Sequence, residues 1–431
     1  MATLLIIADD FTGALDTGVQ FAAEGAITRV VTNSGYDLRR LDPTVQVLVM
    51  DAETRHLSSS AAYEIVYDIT DRAIKHGIPY IYKKTDSALR GNIGSELAAV
   101  LHASKAERLS FFPSLPKMGR CTKNGTLYID GLPVEESVFG RDPFEPVTCS
   151  HVPQLIKQQT NANVFVHSLP ISESSSKPPP GITVWDSETE EDLMKAGVFL
   201  KSKGCLGITA GCAGFAAVLS KLLGFSGRLP PLPAFSPSFL VICGSLNPIT
   251  SRQLDAAEEN GFLRIRLTPE QKLDSSFWLR PEGKSLLQQW AELLKQYPRT
   301  ILDSSDFPGQ ALTQQYAADH SLGLSEIRTR ISDSYGRILK ALMELGVKST
   351  LMITGGDTLL GCMKRLGVHE MEPLCELEPG TVLSSFTLNH QKCQVISKSG
   401  GFGSKDLLSR LAQRISADTP VKKQLKEEAV C

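Results

Sequence analysis

The chain has 431 residues, of which 42% are hydrophobic and 21% are charged, and its 45 basic and 47 acidic residues give a formal net charge of −2. This composition is ordinary for a globular protein, and the length exceeds that of a typical single core, so two or three domains are expected. The near-neutral charge excludes a global attraction to nucleic acid or to an anionic membrane, so any anionic ligand must be bound by a local cluster of cations.

The sequence carries no sign of export or membrane insertion. The apolar run at 3–8 stops at Asp9 and lacks a preceding basic segment, which argues against a signal peptide, and no later run approaches the length of a membrane span. Nine cysteines are scattered without Cys-x-x-Cys or Cys/His ligand spacing, which favours reduced thiols and no structural zinc. We therefore expect a cytoplasmic protein with neither a membrane nor a nucleic acid as its partner.

Apolar runs in the first half alternate with helical patterns. This alternation predicts a mostly parallel sheet covered by helices, in which ligands bind at the carboxyl ends of the strands. The predicted strands lie at 3–8, 27–32, 45–50, 78–83 and 109–112, and helical patterns follow Gly13 and occupy 61–75 and 93–103.

Polar residues follow four of these strands. Arginine or lysine at such positions would bind a carboxylate, and aspartate would accept hydrogen bonds from hydroxyl groups, so a small polyhydroxylated anion is the predicted ligand. Each residue taken alone is equally compatible with a helix cap or a surface ion pair, such as Arg90 with Glu96, but four clusters at successive strand ends favour a site. The clusters are Asp9 and Asp10; Asp51-Ala52-Glu53-Thr54-Arg55-His56; Lys83-Lys84-Thr85-Asp86-Ser87-Ala88-Leu89-Arg90-Gly91-Asn92; and Pro113, Lys117, Gly119, Arg120 and Thr122.

The middle of the chain contains turns and a linker. Asn124-Gly125 predicts a hairpin leading into a strand at 126–129, and 172–181 reads as a surface loop. The strand–helix alternation then resumes, with strands at 182–185 and 205–209 around a helix at 192–201. The proline-rich segment 229–237 predicts an extended linker between a first domain at 1–228 and a second at 238–431.

The second half repeats the alternating pattern and adds three turns of small residues after strands. Glycines in such turns let backbone N–H groups approach a phosphate closely, although purely structural turns are an alternative. Neither the P-loop pattern nor the dinucleotide fingerprint is present. The turns are Gly244-Ser245, Gly355–Thr358 and Gly400–Ser404; the predicted strands are 239–243, 263–267, 300–302, 351–353 and 393–397, and the helices 249–259, 284–294 and 324–345.

Four segments, taken in chain order, resemble the four-carbon acid-sugar kinase family. They are Ile-Ala-Asp-Asp-Phe-Thr-Gly-Ala at 7–14, Lys-Lys-Thr-Asp-Ser-Ala-Leu-Arg-Gly-Asn at 83–92, Thr-Gly-Gly-Asp-Thr at 354–358 and Lys-Ser-Gly-Gly-Phe-Gly at 398–403, and the resemblance extends to about residue 410. Members of this family use ATP to phosphorylate the terminal hydroxyl of acids such as threonate, erythronate or 3-oxo-tetronate. The resemblance implies an α/β fold of two domains, each a mostly parallel sheet covered by helices, with the active site in the cleft between them.

The resemblance also implies roles for individual residues. An N-terminal domain would bind the acid sugar and a C-terminal domain the nucleotide. The resemblance implies substrate contacts for Asp9, Arg55, Lys83, Lys84, Thr85 and Asp86, and the polar residues at the strand ends add Arg90 to them. It implies nucleotide contacts for Ser245, Gly355, Gly356, Asp357, Thr358, Gly400 and Gly401.

Two local features bear on the choice of substrate. The segment 53–55 reads Glu-Thr-Arg where the family carries an acidic residue, serine and arginine, which leaves the fine specificity open. The helix opening at 15–20 is more similar to the threonate and erythronate members than to the 3-oxo-tetronate members. We therefore expect a 4-kinase of D-threonate or D-erythronate, with a 3-oxo-tetronate 4-kinase as the alternative.

The expected mechanism rests on positioning and charge neutralisation. Arg55 and either Lys83 or Lys84 would hold the substrate carboxylate, and Asp9 and Asp86 its hydroxyls. ATP would lie on the glycine turns with Mg²⁺ offsetting its charge, and the sequence assigns no protein ligand to the metal. Asp357, Asp86 and Asp9 remain alternatives for the group that accepts the proton of the attacking hydroxyl.

Rival functions from other classes remain at this stage. A non-catalytic sensor could bind a sugar acid and a nucleotide, but neither a DNA-binding helix pair nor a basic stripe supports an attached effector. A sugar-acid dehydrogenase is permitted by the strand–helix alternation alone, and the missing dinucleotide fingerprint counts against it. The oligomeric state is left open, a homo-oligomer included.

Overall fold

A computed structural model describes residues 2–142, 145–170, 176–225, 227, 229, 234–306 and 311–417. The chain divides into two compact units, residues 1–230 and 231–431. Within the described ranges, no helix combines the length and the apolar character that crossing a membrane requires.

Strands and helices alternate along unit 1. The strands are β1 Leu4–Ala8, β2 Thr28–Val31, β3 Val47–Asp51, β4 Tyr80–Lys84, β5 Arg108–Phe112, β6 Arg120–Lys123, β7 Thr126–Ile129, β8 Leu132–Pro133, β9 Val164–His167, β10 Gly181–Trp185 and β11 Ile208–Gly211. The helices are α1 Phe11–Ala22, α2 Ser59–Lys75, α3 Ile93–Ser104, α4 Val152–Lys157, α5 Glu190–Ser202 and α6 Ala213–Leu223.

The main sheet of unit 1 has the strand order β2-β3-β1-β4-β11-β5-β10-β9, and its strands pair in parallel. Every residue of β1 and of β3 is buried. Strands covered on both faces by helices need apolar side chains on both faces, which is why β1 reads as the continuous apolar run Leu-Leu-Ile-Ile-Ala. The predicted parallel sheet with helical cover is confirmed.

Strand register in unit 1 brings the predicted polar clusters together. Ala8, the last residue of β1, pairs with Asp51 of β3 on one side and with Lys84 of β4 on the other. Lys84 in turn pairs with Gly211 of β11. The residues that follow these strands therefore leave the sheet side by side at one edge.

A small antiparallel sheet, β6-β7-β8, carries the predicted hairpin. Its turn places Asn124 at φ 50° and Gly125 at φ 72°, the left-handed conformation that Asn-Gly adopts readily. Both backbone N–H groups donate to the Asp186 carboxylate at 2.8 Å. This aspartate follows β10, so it ties the hairpin to the main sheet, and the hairpin prediction is confirmed.

Unit 2 repeats the alternation and ends in a meander. The strands are β12 Phe239–Cys243, β13 Leu263–Arg266, β14 Arg299–Asp303, β15 Thr350–Thr354, β16 Glu370–Glu378, β17 Thr381–Leu388 and β18 Gln391–Lys398. The helices are α7 Pro248–Glu259, α8 Pro269–Leu273, α9 Pro281–Gln296, α10 Ala311–Asp319, α11 Leu324–Glu344, α12 Gly356–Leu366 and α13 Leu407–Ala417.

The sheet of unit 2 is parallel over β13-β14-β12-β15-β18 and antiparallel over β18-β17-β16. Cys243 at the end of β12 pairs with Asp303 of β14 and with Thr354 of β15. Thr354 pairs with Lys398 at the end of β18. The four strand ends are thus in register, and the three predicted glycine turns leave from one edge.

The sequence analysis gave no range for five strands, namely β6, β8, β9, β16 and β17. In β16, Glu-Met-Glu-Pro-Leu-Cys-Glu-Leu-Glu contains a proline and several acids, which weaken a strand signal. The register shifts of this strand at Pro373/Cys375 and Glu376/Glu378 show how it accommodates them. Strand β11 also begins and ends later than the predicted 205–209, because Cys205–Gly207 precede the paired segment.

Part of the predicted linker at 229–237 lies outside the described residues, namely 230–233. Of the described part, Phe235 is buried in the core of unit 2 with Phe239 and Val241. The backbone carbonyl of Ala234 accepts a hydrogen bond from Gln394 Nε2 at 2.8 Å. The chain is therefore already packed against unit 2 from residue 234 onwards.

Candidate functional site

A cluster of opposite charges lies at the carboxyl ends of β1 and β4, and we call Asp9, Asp10, Arg55, Asp86 and Arg90 the strand-end cluster. Arg55 Nε lies 2.7 Å from Asp9 Oδ2, and its NH2 group lies 2.7 Å from Asp10 Oδ1 and 3.7 Å from Asp86 Oδ1. One guanidinium therefore connects carboxylates from two strand ends. All of these residues except Asp10 were predicted as site residues.

Asp86 is held by a second arginine. Arg90 donates to it through both Nε, at 2.9 Å, and NH2, at 3.0 Å, while its NH1 donates to Asp142 Oδ2 at 3.1 Å. Burial alone would raise the pKa of Asp86, but the guanidiniums of Arg90 and Arg55 outweigh it and hold the pKa well below its usual range. Asp86 is therefore ionised at neutral pH, and Asp142 is a partner that the sequence analysis missed.

Asp9 and Arg55 stabilise each other's charged forms. Burial raises the pKa of Asp9, yet Arg55 and the neighbouring lysines reverse that effect and lower it overall. Burial lowers the pKa of Arg55, and Asp10, Asp9 and Asp86 together raise it well above the ordinary value. The cluster is a buried network of ionised groups whose positions are fixed by mutual pairing.

Two polar groups beside this network lack hydrogen-bond partners. Asp9 Oδ1 is buried and accepts no hydrogen bond, and within the described residues the ammonium of Lys84 donates none. The two atoms lie 4.0 Å apart, too far for a direct hydrogen bond. A Cβ added at Gly13 would come within 2.7 Å of Lys84 Nζ, so the glycine leaves space beside the ammonium. Buried polar groups are normally paired, and a donor and an acceptor left open side by side indicate a place for a polar ligand.

Lys83 does not join this group, and its predicted role as the alternative to Lys84 is corrected. Consecutive strand residues point to opposite faces of a sheet, so Lys83 enters the other side of β4. Its ammonium lies 2.8 Å from Glu96 Oε2, and the two side chains are 0% and 1% exposed. Lys83 is the cation of a buried ion pair with α3, where it cannot touch a ligand at the strand ends.

Thr85 and the 54–57 loop complete the surroundings. Thr85 is fully buried, its N–H donates to Gly211 O at 2.9 Å, and its hydroxyl has no partner. Asn92 Nδ2 donates to the carbonyls of Thr54 and Leu57 at 2.9 Å each, which fixes the loop that carries Arg55. Asn92 is a positioning residue that the sequence analysis missed, although it closes the quoted 83–92 motif.

Asp51, which belongs to the predicted strand-end residues but was given no role there, is a further buried carboxyl at this edge. Burial raises its pKa well above the usual range, and the carboxylates of Glu53 and Asp10 raise it further. The residue is 1% exposed, and its Oδ2 atom has no hydrogen-bond partner. Burial beside Glu53 and Asp10 therefore favours the neutral form of Asp51 relative to an exposed aspartate, because it raises the pKa of the carboxyl.

Removing the ammonium of Lys83 should lower the stability of the fold rather than the affinity for a ligand. We expect Lys83→Met to lower the free energy of unfolding by about 3–5 kcal/mol, because Glu96 is left buried and uncompensated. The double variant Lys83→Met/Glu96→Gln should recover part of this loss. Urea denaturation of both variants measures the effect, and a wild-type unfolding free energy for Lys83→Met would contradict the assignment.

In unit 2, the three glycine turns meet around Ser245. A Cβ added at Gly400 would lie 2.3 Å from Ser245 Oγ, and one added at Gly355 would lie 3.8 Å from Ser245 N. A Cβ at Gly244 would lie 1.9 Å from Thr358 Oγ1. The turns after β12, β15 and β18 are therefore in mutual contact, and glycine is required at Gly244 and Gly400 because neighbouring side chains occupy the space.

The turn after β15 opens a helix without a side-chain cap. Gly355 is the N-cap residue of α12, with φ 103°, and no side chain accepts a hydrogen bond there. Within the described residues, the N–H groups of Gly356, Asp357 and Thr358 have no acceptor. Free N–H groups and the positive end of the helix dipole together favour an anion at this point.

Asp357 faces a partner that the sequence analysis missed. Arg328 of α11 donates to both carboxylate oxygens at 3.0 Å, and the Asp357 side chain is 46% exposed. This pairing offsets a negative charge that would otherwise repel a phosphate at the helix N-terminus. Arg328 lies near the start of a long helix, where no local pattern distinguishes it from a surface arginine.

The strand end after β14 also contributes polar residues that were not predicted. Asp303 is buried against Arg264 at 2.7 Å, and Ser304 Oγ donates to Cys243 O at 3.2 Å. The buried ammonium of Lys272 pairs with Asp306. Because both aspartates are engaged by cations, this end of the sheet serves as a support for the Gly244-Ser245 turn.

A side chain at Gly400 should disturb the contact between the glycine turns, where the sequence predicts a nucleotide. We expect Gly400→Ala to weaken nucleotide binding by at least about tenfold, because the new methyl group collides with Ser245 Oγ and must displace one of the turns. Calorimetric titration with ATP measures the change. The control is Gly323→Ala, where the nearest atom to the added Cβ is 3.8 Å away. Equal affinities in the two variants would count against this placement of the nucleotide.

Comparison with known protein families gives two matches that follow the division into units. Residues 4–219 match a model described as a sugar-binding N-terminal domain, and residues 240–408 match one described as a nucleotide-binding C-terminal domain. The strand-end cluster lies within the first match, and the glycine turns within the second.

Curated relatives match over most of their length. A D-threonate kinase of Salmonella typhimurium is 29% identical over 94% of this chain and 96% of its own. A D-erythronate kinase of Heliobacterium modesticaldum is 25% identical over 88% and 89%, and a 3-oxo-tetronate kinase of Pseudomonas savastanoi pv. phaseolicola is 23% identical over 95% and 96%. The crystal structure of a protein described as a putative tRNA synthase from Salmonella typhimurium LT2 has a TM-score of 0.75 and 21% identity, covers 95% of this chain and 99% of that one, and shows the same fold.

Proposed function

This chain belongs to the four-carbon acid-sugar kinase family, and we propose that it transfers the terminal phosphoryl group of ATP to the 4-hydroxyl of D-threonate or D-erythronate. As a member of this family it is a phosphotransferase that acts on a hydroxyl group. The identity of the acid, the use of ATP and the roles of single residues are the content of the proposal.

The observation that carries the substrate assignment is the open pair of Lys84 Nζ and Asp9 Oδ1. A sugar acid offers the two groups that this pair requires, namely a carboxylate to accept from the ammonium and a hydroxyl to donate to the carboxylate oxygen. Arg55 already pairs with three carboxylates of the chain, so its guanidinium orients Asp9 and Asp86 toward the acid's hydroxyls. We therefore assign Lys84 as the main partner of the substrate's carboxylate.

ATP fits the glycine turns of unit 2. The uncapped N–H groups of Gly356, Asp357 and Thr358 and the N–H groups of the 400–403 loop provide donors for phosphate oxygens. The close approach of the three turns at Ser245 requires glycines, as a polyphosphate-binding surface built from backbone does. When bound, ATP supplies the phosphoryl group, and the chain's part is to orient it and to offset its charge.

Magnesium accompanies ATP in phosphoryl transfer and would neutralise charge on the phosphates. Within the described residues, no group of three or more His, Cys, Asp or Glu side chains is arranged to hold a metal ion by itself. Protein ligation of that kind is not needed where the ion is held mainly by phosphate oxygens and water. We assign no residue of this chain to it.

The ionised state of Asp86 bears on its role. A carboxylate with a depressed pKa is a weak general base, but it is a strong hydrogen-bond acceptor for a substrate hydroxyl. Phosphoryl transfer through a loose transition state asks for positioning more than for proton abstraction. We therefore assign Asp86 to orienting the attacking hydroxyl, and Asp357, balanced by Arg328, to the nucleotide side.

The substrate assignment can be tested with purified protein, ATP and a panel of four-carbon acids, read as ADP release. We expect the highest kcat/KM with D-threonate or D-erythronate, because their 3-hydroxyl can donate to a carboxylate oxygen such as Asp9 Oδ1, whereas a 3-oxo group cannot. Preferred turnover of 3-oxo-tetronate would replace the proposed substrate with the alternative acid. Nucleotide binding without ADP release on any acid would refute the kinase proposal.

The residue assignment can be tested with isosteric variants. Asp86→Asn should lower kcat by about a hundredfold while leaving the KM for ATP unchanged, because the lost charge weakens the orientation of the hydroxyl. Because Arg90 and Arg55 lose a buried partner in this variant, thermal melting must show that it is folded before its kcat is compared. Asp357→Asn should instead act mainly through the KM for ATP. The control is Asp68→Asn, an exposed partner of Arg72 on α2. If both site variants keep wild-type turnover, these assignments are wrong.

A further inference from the structure

A buried lysine lies beneath the glycine turn that follows β18. Lys398 is the last residue of that strand and is 1% exposed. Its ammonium donates to the carbonyl oxygens of Ser399 at 3.0 Å and Gly400 at 3.4 Å, and to the hydroxyl of Thr250 at 3.1 Å. A buried cation commonly has a carboxylate partner, but within the described residues Lys398 donates to two backbone carbonyls and one hydroxyl.

Side chains of helix α7 donate hydrogen bonds to the same loop. The Thr250 hydroxyl donates to Gly400 O at 2.8 Å, and Gln253 Nε2 donates to the carbonyls of Phe402 and Ser404 at 3.0 Å each. Thr250 and Gln253 are 2% and 1% exposed. Four carbonyls of the loop are thus bound on its inner side by groups that a ligand cannot reach.

The orientation of these carbonyls dictates where the N–H groups point. In a planar trans peptide, the C=O of one residue and the N–H of the next point in opposite directions. With the carbonyls of Ser399, Gly400 and Phe402 turned inward, the N–H groups of Gly400, Gly401 and Gly403 turn outward. None of these three donates a hydrogen bond within the described residues. The loop therefore presents a row of free donors, the arrangement that binds a phosphate.

We propose that Lys398, together with Thr250, is the positioning residue that sets this row of N–H donors for the phosphates of the nucleotide. The proposal rests on the proposed function, which places ATP at the glycine turns. Lys398 acts through the loop and not by touching the substrate acid. Its loss should therefore weaken nucleotide binding selectively.

The charge of Lys398 adds a second, separable effect. Burial lowers the pKa of this lysine to about 7, so its charge is marginal near neutral pH. Phosphate bound above the loop favours the protonated form, so binding takes up a proton wherever the free protein has lost it. Nucleotide affinity should consequently fall as the pH rises through about 7 toward 9, by up to about tenfold per pH unit.

The groups around Lys398 do not titrate in that window. The thiol of Cys243 on β12 faces it, and burial raises the pKa of that thiol to about 12. Thr250 and Gln253 on α7 are uncharged, and Thr381, its partner on β17, is uncharged too. The charged residues of α7 are exposed and point away; they are Arg252, Asp255, Glu258 and Glu259.

The test uses the full chain and compares Lys398→Met and Thr250→Val with wild type. We expect Lys398→Met to raise both the dissociation constant and the KM for ATP by at least about tenfold, with the KM for the acid changed less than about twofold. Its affinity should also lose the pH dependence between 7 and 9. Thr250→Val should weaken ATP binding in the same direction and keep the pH dependence, since Lys398 remains.

Lys392→Met is the matched control, because Lys392 lies on the same strand but is exposed and pairs with Glu372. It should leave ATP binding and its pH profile at wild-type values. If Lys398→Met fails to fold, as judged by thermal melting, Thr250→Val decides the question. A folded Lys398→Met or Thr250→Val protein with wild-type affinity, or an equal loss for ATP and the acid, overturns the inference.

Direct titration with ATP keeps this inference separate from the proposed function. If the wild-type protein releases no ADP in response to any acid, the kinase proposal is refuted, while the Lys398 effect on ATP affinity stands. Acid-dependent ADP release by the wild-type protein, together with an unchanged ATP affinity in Lys398→Met, would refute the Lys398 inference and leave the kinase proposal standing.

Discussion

The register of parallel strands is the constraint on which both candidate sites depend. Ala8 lies between Asp51 and Lys84, and Cys243 lies between Asp303 and Thr354, so the last residues of neighbouring strands end level. A slip of one residue in a strand would exchange its faces and bury the wrong side chains. The same pairing that forms the two cores therefore fixes which loops meet at each sheet edge.

The carboxyl edges of the sheets in unit 1 and unit 2 differ in the kind of polar groups they carry. In unit 1, carboxylates and guanidiniums neutralise each other in a buried network, and one donor–acceptor pair, Lys84 and Asp9, remains open for a ligand. In unit 2, the donors are mainly backbone N–H groups, set by glycines and by side chains that bind the opposite carbonyls. The first arrangement suits a small molecule with several hydroxyls, and the second suits phosphate.

Two buried lysines, Lys83 and Lys398, show that the same residue type can have different structural roles. Lys83 compensates Glu96 inside the first unit, whereas Lys398 faces backbone carbonyls and shapes a loop. Both lie within a strand, at or next to its last residue, and both belong to motifs that carry the family resemblance. What separates them is the chemistry of the neighbours that the fold supplies, which a residue's own position in the chain does not reveal.

The sequence by itself determined the alternation of strands and helices, the parallel sheets and the motifs at strand ends, because apolar runs and glycine turns are local signals. It missed β16, whose proline and acidic residues weaken the strand pattern, and β17, and it could not choose between Lys83 and Lys84. Only the tertiary structure decided which face each lysine takes and which partners, such as Asp142, Arg328 and Thr250, approach from distant segments. Such contacts arise from packing between elements far apart in the chain, so no local pattern carries them.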